Sequence, residues 1–185
     1  MKNQEKIDEI ANRLKRGSLD DPDAEWKAAM SLGEVKDDNE KRKAINALEE
    51  VLIAGNSHAL TRVHAVESLG KLGDPKVIPI IINALNDPYR LVRAYAAASL
   101  AMLRDQSALE ALLVALKNDE FYGTRAEAAK SIANLTPADK NIKKRIIEEL
   151  EKQNRLEKKL GRVGCERVIS EIDRALKTLL KDEVL

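Results

Sequence analysis

Arg62, Arg93 and Arg125 stand 31 and 32 residues apart. A guanidinium suits the holding of carboxylates or phosphates, because its planar fork donates several hydrogen bonds and keeps its charge. Six residues before each lies a polar, loop-type residue: Asn56, Asp87 and Asp119. Two chemistries fit this spacing. One is a cationic stripe that grips a ligand. The other is a set of internal braces, each arginine bonding the loop residue six positions earlier together with helix-end carbonyls. The lock between the arginine period and the loop acids favours braces, and gives Arg62, Arg93, Arg125, Asp87 and Asp119 structural roles.

Other reactive side chains are sparse. His58 and His64 are the only two histidines, and six residues apart they project from different sides of a helix. That is no metal-ligand spacing, so neither a metal nor another cofactor is expected. Cys165 is the single cysteine and has no obvious partner for nucleophilic or redox chemistry. Phosphate-loop, nucleophile-elbow and dinucleotide patterns are missing, and no carboxylate pair is singled out by apolar surroundings. No catalytic residue emerges, and an enzyme is not expected. Residues 140–167 hold ten Lys and Arg against five Glu, a local net of +5 in a chain of net +1. Lys143, Lys144, Arg155, Lys158, Lys159 and Arg162 are therefore candidates for gripping nucleic-acid phosphates or a ribosomal surface. A solvated capping helix with spaced charges, such as Glu148 with Lys152, explains the same run. Trp26, Tyr89, Tyr95, Phe121 and Tyr122 all lie outside it, so base stacking gains no support there.

The elements that position these residues read as helices, from apolar spacing at three and four with Gly, Pro, Asp and Asn as punctuation. After each ladder arginine come small residues (Ala65; Ala96 and Ala97; Ala128 and Ala129) and then a large apolar one (Leu69, Leu100, Ile132). A unit of about thirty residues with two helices cannot bury its apolar face alone and must stack on neighbours. The predicted units are 1–36, 37–73, 74–104, 105–136 and 137–185, forming a single domain over 1–185. The terminal units depart from the pattern. Glu25 takes the arginine position in the first, and a polar stretch from Gln153 to Gly164 separates the helices of the last. The N-terminus lacks an apolar signal core, and Val77 to Leu85 is interrupted by Pro79 and Asn83. A reducing cytoplasm is the expected location.

The stretch Thr61-Arg-Val-His-Ala-Val-Glu-Ser-Leu-Gly-Lys-Leu-Gly-Asp74 resembles a HEAT repeat, in its short, phycobilisome-lyase-type form. Asp87-Pro-Tyr-Arg-Leu-Val-Arg-Ala-Tyr-Ala-Ala-Ala-Ser-Leu-Ala-Met-Leu103 repeats the pattern, and Asp119 to Leu135 follows it loosely. The resemblance implies an all-α fold, a right-handed α/α superhelix (solenoid) of about five antiparallel helix pairs. It also implies a concave face lined by second helices that binds proteins, less often nucleic acid. A lyase-like or glycosylase-like activity is the remaining implication. Aligning the second helices places Trp26, Lys27, Met30 and Glu34 on that face, followed by Val63, His64, Glu67 and Lys71. Ala94, Tyr95, Ala98 and Met102 come next, then Ala126, Glu127, Lys130 and Asn134. Trp26, Tyr95 and Met102 are the large adaptable types found at recognition hot spots. The expected function is a non-catalytic adaptor that binds a protein or peptide, of unspecified identity and oligomeric state.

Overall fold

The computed structural model describes residues 2–16, 22–54, 57–135 and 139–181. They form ten α-helices and no strand: α1 (Lys2–Arg16), α2 (Pro22–Leu32), α3 (Asp38–Ile53), α4 (Ala59–Leu72), α5 (Ile78–Ala84), α6 (Arg90–Leu103), α7 (Leu109–Asn118), α8 (Tyr122–Asn134), α9 (Lys140–Leu160) and α10 (Cys165–Lys181). Single 3₁₀ turns, Pro75–Val77 and Gln106–Ala108, lead into α5 and α7. Aspartates start several of these elements. Asp37 accepts from the N–H groups of Asn39 and Glu40 at 3.0 Å each, and Asp74 and Asp105 cap the two 3₁₀ turns. Gly73, at φ 70°, ends α4 in the left-handed conformation that favours glycine.

The helices pair as expected and stack in two layers. Each of α2, α4, α6, α8 and α10 packs on the next, and each also packs on the odd-numbered helix before it. Their stripe of large apolar residues is fully enclosed: Leu69, Leu100 and Ile132 are each 0% exposed. Small residues bring the even-numbered helices together. A Cβ on Gly70 of α4 would lie 2.8 Å from the Cβ of Ser99 on α6. The Ser131 hydroxyl of α8 donates to the Ala97 carbonyl of α6 at 2.7 Å. The odd-numbered layer is looser beyond α3. Gaps of about 400 and 530 Å³ open between α3 and α5 and around the ends of α5 and α7. A layer packed tightly on one side and wedged apart on the other must curve, so the even-numbered helices line the inside. One apolar cluster runs through the whole stack, from Ile7 to Leu179.

Most of the polar stretch from Gln153 to Gly164 is helical, contrary to the sequence reading, and only residues 161–164 separate the last two helices. Helix α9 continues unbroken to Leu160, and Gln153, Asn154 and Glu157 are buried on its inner face. Two of the three are answered across the interface. The Asn154 amide donates to Asp173 of α10, and Glu157 accepts from Arg125 of α8. Composition alone reads such a run as solvated. Partners on neighbouring helices make it a packed surface. The break sites around Gly17, Asn56 and Thr136-Pro137 lie outside the described residues. Among the described residues no helix is long and apolar enough to cross a membrane.

Candidate protein-binding face

The arginines enter first, because they set the register of the inner layer. Each sits in the first turn of an even-numbered helix and donates Nη1 to carbonyls of its own loop: Arg62 to Ser57 (2.6 Å), Arg93 to Asp87 (3.0 Å), Arg125 to Asp119 and Glu120 (3.0 Å each). The carboxylate partner differs from the expected one. Arg62 donates Nε and Nη2 to Asp87, at 2.7 and 2.9 Å, and Arg93 does the same to Asp119, at 2.7 and 3.0 Å. Both acids belong to the following repeat. Asp87 and Asp119 offer their backbone carbonyls to the arginine six positions on, while their side chains face back toward the previous repeat. Arg125 reaches Glu157 on α9, in a pair only 1% and 0% exposed. The fork therefore ties successive repeats together. The adjacent carboxylate holds the Arg62 and Arg93 guanidinium groups further above their already high ordinary pKa, despite burial.

With the arginines committed to clamping, the open inner surface falls to the positions beside them. Tyr95 and Met102 are exposed on α6, Met30 on α2 and Lys130 on α8. His64, Glu67 and Glu127 are half-buried at the same surface. Val63 is not part of it, a correction shared by its register mate Ala126: both are buried, and Ala94, also buried, reaches the surface only as the floor of a cleft. Val63 and Ala126, directly after their arginines, are enclosed between neighbouring inner helices. Trp26 is half-buried, donating Nε1 to Asp23 at 3.1 Å and lying 5.1 Å from the His64 ring. That ring contact belongs to a charged network in which Lys71 reaches Glu67 at 3.1 Å and Glu34 at 3.9 Å. One end of the face is thus polar and laced with ion pairs, while its centre is apolar.

That centre holds a cleft of about 320 Å³ between α6, α8 and the start of α10. Leu91, Tyr95 and Phe121 wall it, and Ala94, Ala98 and Gly123 form its floor. Glu127 and Arg167 close one end as an ion pair of 3.2 Å. The alignment of second helices did not single out Leu91, Phe121, Gly123 or Arg167. A periodic signal existed for all but Arg167. The residue four before each ladder arginine is a ring (His58, Tyr89, Phe121), and each starts its helix without a side-chain cap. The residue two before is Leu60, Leu91 and then Gly123. The missing leucine is filled by Phe121: a Cβ on Gly123 would lie 2.4 Å from its ring.

Residues 7–88 and 78–140 match the family of HEAT repeats, well over half of the chain. The protein belongs to the HEAT-repeat family. A stretch of 52 residues is 47% identical to the phycocyanobilin lyase subunit alpha of Nostoc sp. (strain PCC 7120 / SAG 25.82 / UTEX 2576). That stretch covers 28% of this chain and 19% of the relative.

The basic segment that follows the matched HEAT repeats is spread around α9 and largely engaged. Lys144 lies 4.0 Å from Glu148, Arg155 lies 3.8 Å from Glu151, and Arg162 donates to Glu157. Lys143 is half-buried, whereas Lys158 and Lys159 are exposed. Two further cations brace α9 against α7: Arg145 on Glu110 at 2.7 Å and Lys117 on Glu149 at 2.7 Å. Among the described residues no group of His, Cys, Asp and Glu could hold a metal ion.

Proposed function

We propose that the protein is a non-catalytic scaffold that captures a protein or peptide along its inner face, centred on Tyr95. The observation that carries this reading is an apolar centre left open on the inner layer of a chain poor in aromatics. Leu60, Leu91, Tyr95 and Met102 are all exposed there, on successive helices. Clustered large apolar side chains of this kind mark interaction surfaces, and Tyr anchors are enriched among residues that dominate binding energy. The stacked helices hold the face in shape before binding, which lowers the ordering cost. The clamps leave the arginine ladder no part in contacting the partner.

Tyr95 is 41% exposed and sits on a helix whose core stripe does not use it. Tyr95→Ala is expected to leave the circular-dichroism spectrum unchanged and weaken partner capture from native extract by about tenfold or more. Undiminished capture by a folded Tyr95→Ala protein would remove the proposed anchor. The similarity to a phycocyanobilin lyase subunit supports a second reading, in which the scaffold handles a bilin. Mixing the protein with phycocyanobilin and following visible absorbance separates the two, since the scaffold reading requires no spectral change.

A further inference from the structure

The cleft beside Tyr95 departs from the repeat in a way that names its occupant. Repeats two and three present Leu60 and Leu91 two residues before the arginine, and both project from the inner face. The fourth repeat carries Gly123 instead. The Phe121 ring lies over that glycine, against a Cβ position only 2.4 Å away. The ring takes the place of the leucine, so the cleft has an aromatic wall on either side, Tyr95 and Phe121. A second glycine completes it. Gly164, at φ 72°, lets the Tyr122 ring press against the start of α10, where a Cβ would meet the ring at 2.2 Å. That contact seats the first turn of α10, and with it Arg167, at the cleft mouth.

The charges around the cleft are unbalanced. Glu127 is approached by both Arg167 (3.2 Å) and Lys130 (3.4 Å), and its side chain is 21% exposed against 55% for Arg167. The outward-facing member of the pair is therefore the cation. On the other wall the Arg90 guanidinium lies 5.1 Å from the Phe121 ring centre, and no carboxylate pairs with it among the described residues. Stacking on a ring leaves the edge of a guanidinium free to donate. The apolar cleft is thus closed at one end by a cation and a compensated carboxylate, and a second cation, Arg90, stacks on the ring that walls it.

Resting on the concave-face reading above, we infer that this cleft accepts one large apolar side chain of a partner peptide whose neighbouring residues are acidic. The side chain fills the space between Tyr95 and Phe121, and the flanking carboxylates meet Arg167 and Arg90. Charge complementarity of this kind selects partners and their register.

The test selects random heptapeptides displayed on phage against the immobilised full chain, then measures synthetic peptides of the enriched sequence by fluorescence anisotropy. The expected winners carry Leu, Phe, Trp or Met flanked by Asp or Glu. Replacing those acids by Lys, or the protein's Arg167→Gln, is expected to weaken binding about tenfold. Gly123→Leu, which drives the Phe121 ring from its place in the cleft wall, is expected to abolish it. Tyr95→Ala provides a second route should Gly123→Leu fold poorly. Basic winners, or winners indifferent to Arg167→Gln and to both cleft variants, overturn the inference. So does preferential binding of a single-stranded oligonucleotide at the cleft. Indifference to the cleft variants alongside Tyr95-dependent capture from extract sinks the cleft and spares the concave-face reading. Indifference in both experiments sinks both.

Discussion

Replacing Arg93 tests the clamp and, through it, the stacking of the whole array. Arg93 makes two parallel bonds to Asp119, at 2.7 and 3.0 Å, and two to the Asp87 and Pro88 carbonyls, at 3.0 and 3.4 Å. The Arg93 and Asp119 side chains are 11% and 6% exposed, so solvent screens the pair little. Removing one member of such a pair leaves the other charge enclosed, and Arg93→Ala is expected to cost about 3–5 kcal/mol. Arg93→Lys keeps the charge and loses the fork, for about 1.5–3 kcal/mol. Asp119 also accepts from the Phe121 N–H at 2.8 Å, so Asp119→Ala carries a separate loss that only a double-mutant cycle removes. The expected Arg93–Asp119 coupling is about 2–3 kcal/mol, the upper end for contacting residues. The Arg93–Asp87 cycle should stay under about 1 kcal/mol, since Asp87 gives its carboxylate to Arg62. Urea denaturation followed by circular dichroism supplies all of these values. Arg93→Ala should also broaden the transition, as a weakened interface lets neighbouring repeats unfold separately. Coupling to Asp87 that equals or exceeds coupling to Asp119 would refute the clamp between repeats.

Two further outcomes follow from the packing and the charges. Gly70→Val should lower the melting temperature, with an overpacking cost of about 1–3 kcal/mol that outweighs the few tenths gained in helix propensity. The added Cβ alone would sit 2.8 Å from Ser99 Cβ, which is fixed to the α6 backbone, and an unchanged or raised midpoint would contradict that approach. The hydrogen bond from Lys117 holds the Glu149 carboxyl below its ordinary range, and Lys117, Lys152 and Arg145 add their charge. A depressed folded value means the stabilisation is present above the unfolded pKa of about 4.3 and is lost as pH falls through the folded one. Glu149→Gln should trail the native protein by less than about 1 kcal/mol at neutral pH, and the two stabilities should converge in acid. A gap that widens on acidification contradicts the assignment.

Much of the fold was legible because one period governs it. The arginines located the second helices, and the apolar residue seven positions on located the core. The partner of each arginine was harder to read, since spacing along the chain says nothing of what stacking brings beside a side chain. A clue lay in the first repeat: Glu25 replaces the arginine there, and the next loop carries Asn56 rather than an aspartate. Acids appear in the loops that follow an arginine-bearing repeat. Glu157 broke even that rule, because it stands on turns of α9 outside the repeat pattern. Val63 illustrates a different limit. A helical wheel places it beside His64, and only the closeness of neighbouring inner helices decides that it is covered. For the cleft the informative residues were the exceptions, Gly123 where leucine stood twice before and Phe121 beside it.

The clamps all lie at the same end of the inner helices, where α4, α6 and α8 begin. At the opposite end the turns after α4 and α6 carry no buried ion pair among the described residues. The stack is bound like a book, with a stiff ionic spine along one margin and pages held elsewhere by greasy contact. Fanning those pages changes the curvature of the inner face without breaking a single buried charge pair. Such a margin keeps successive repeats in register whatever is substituted in the opposite turns.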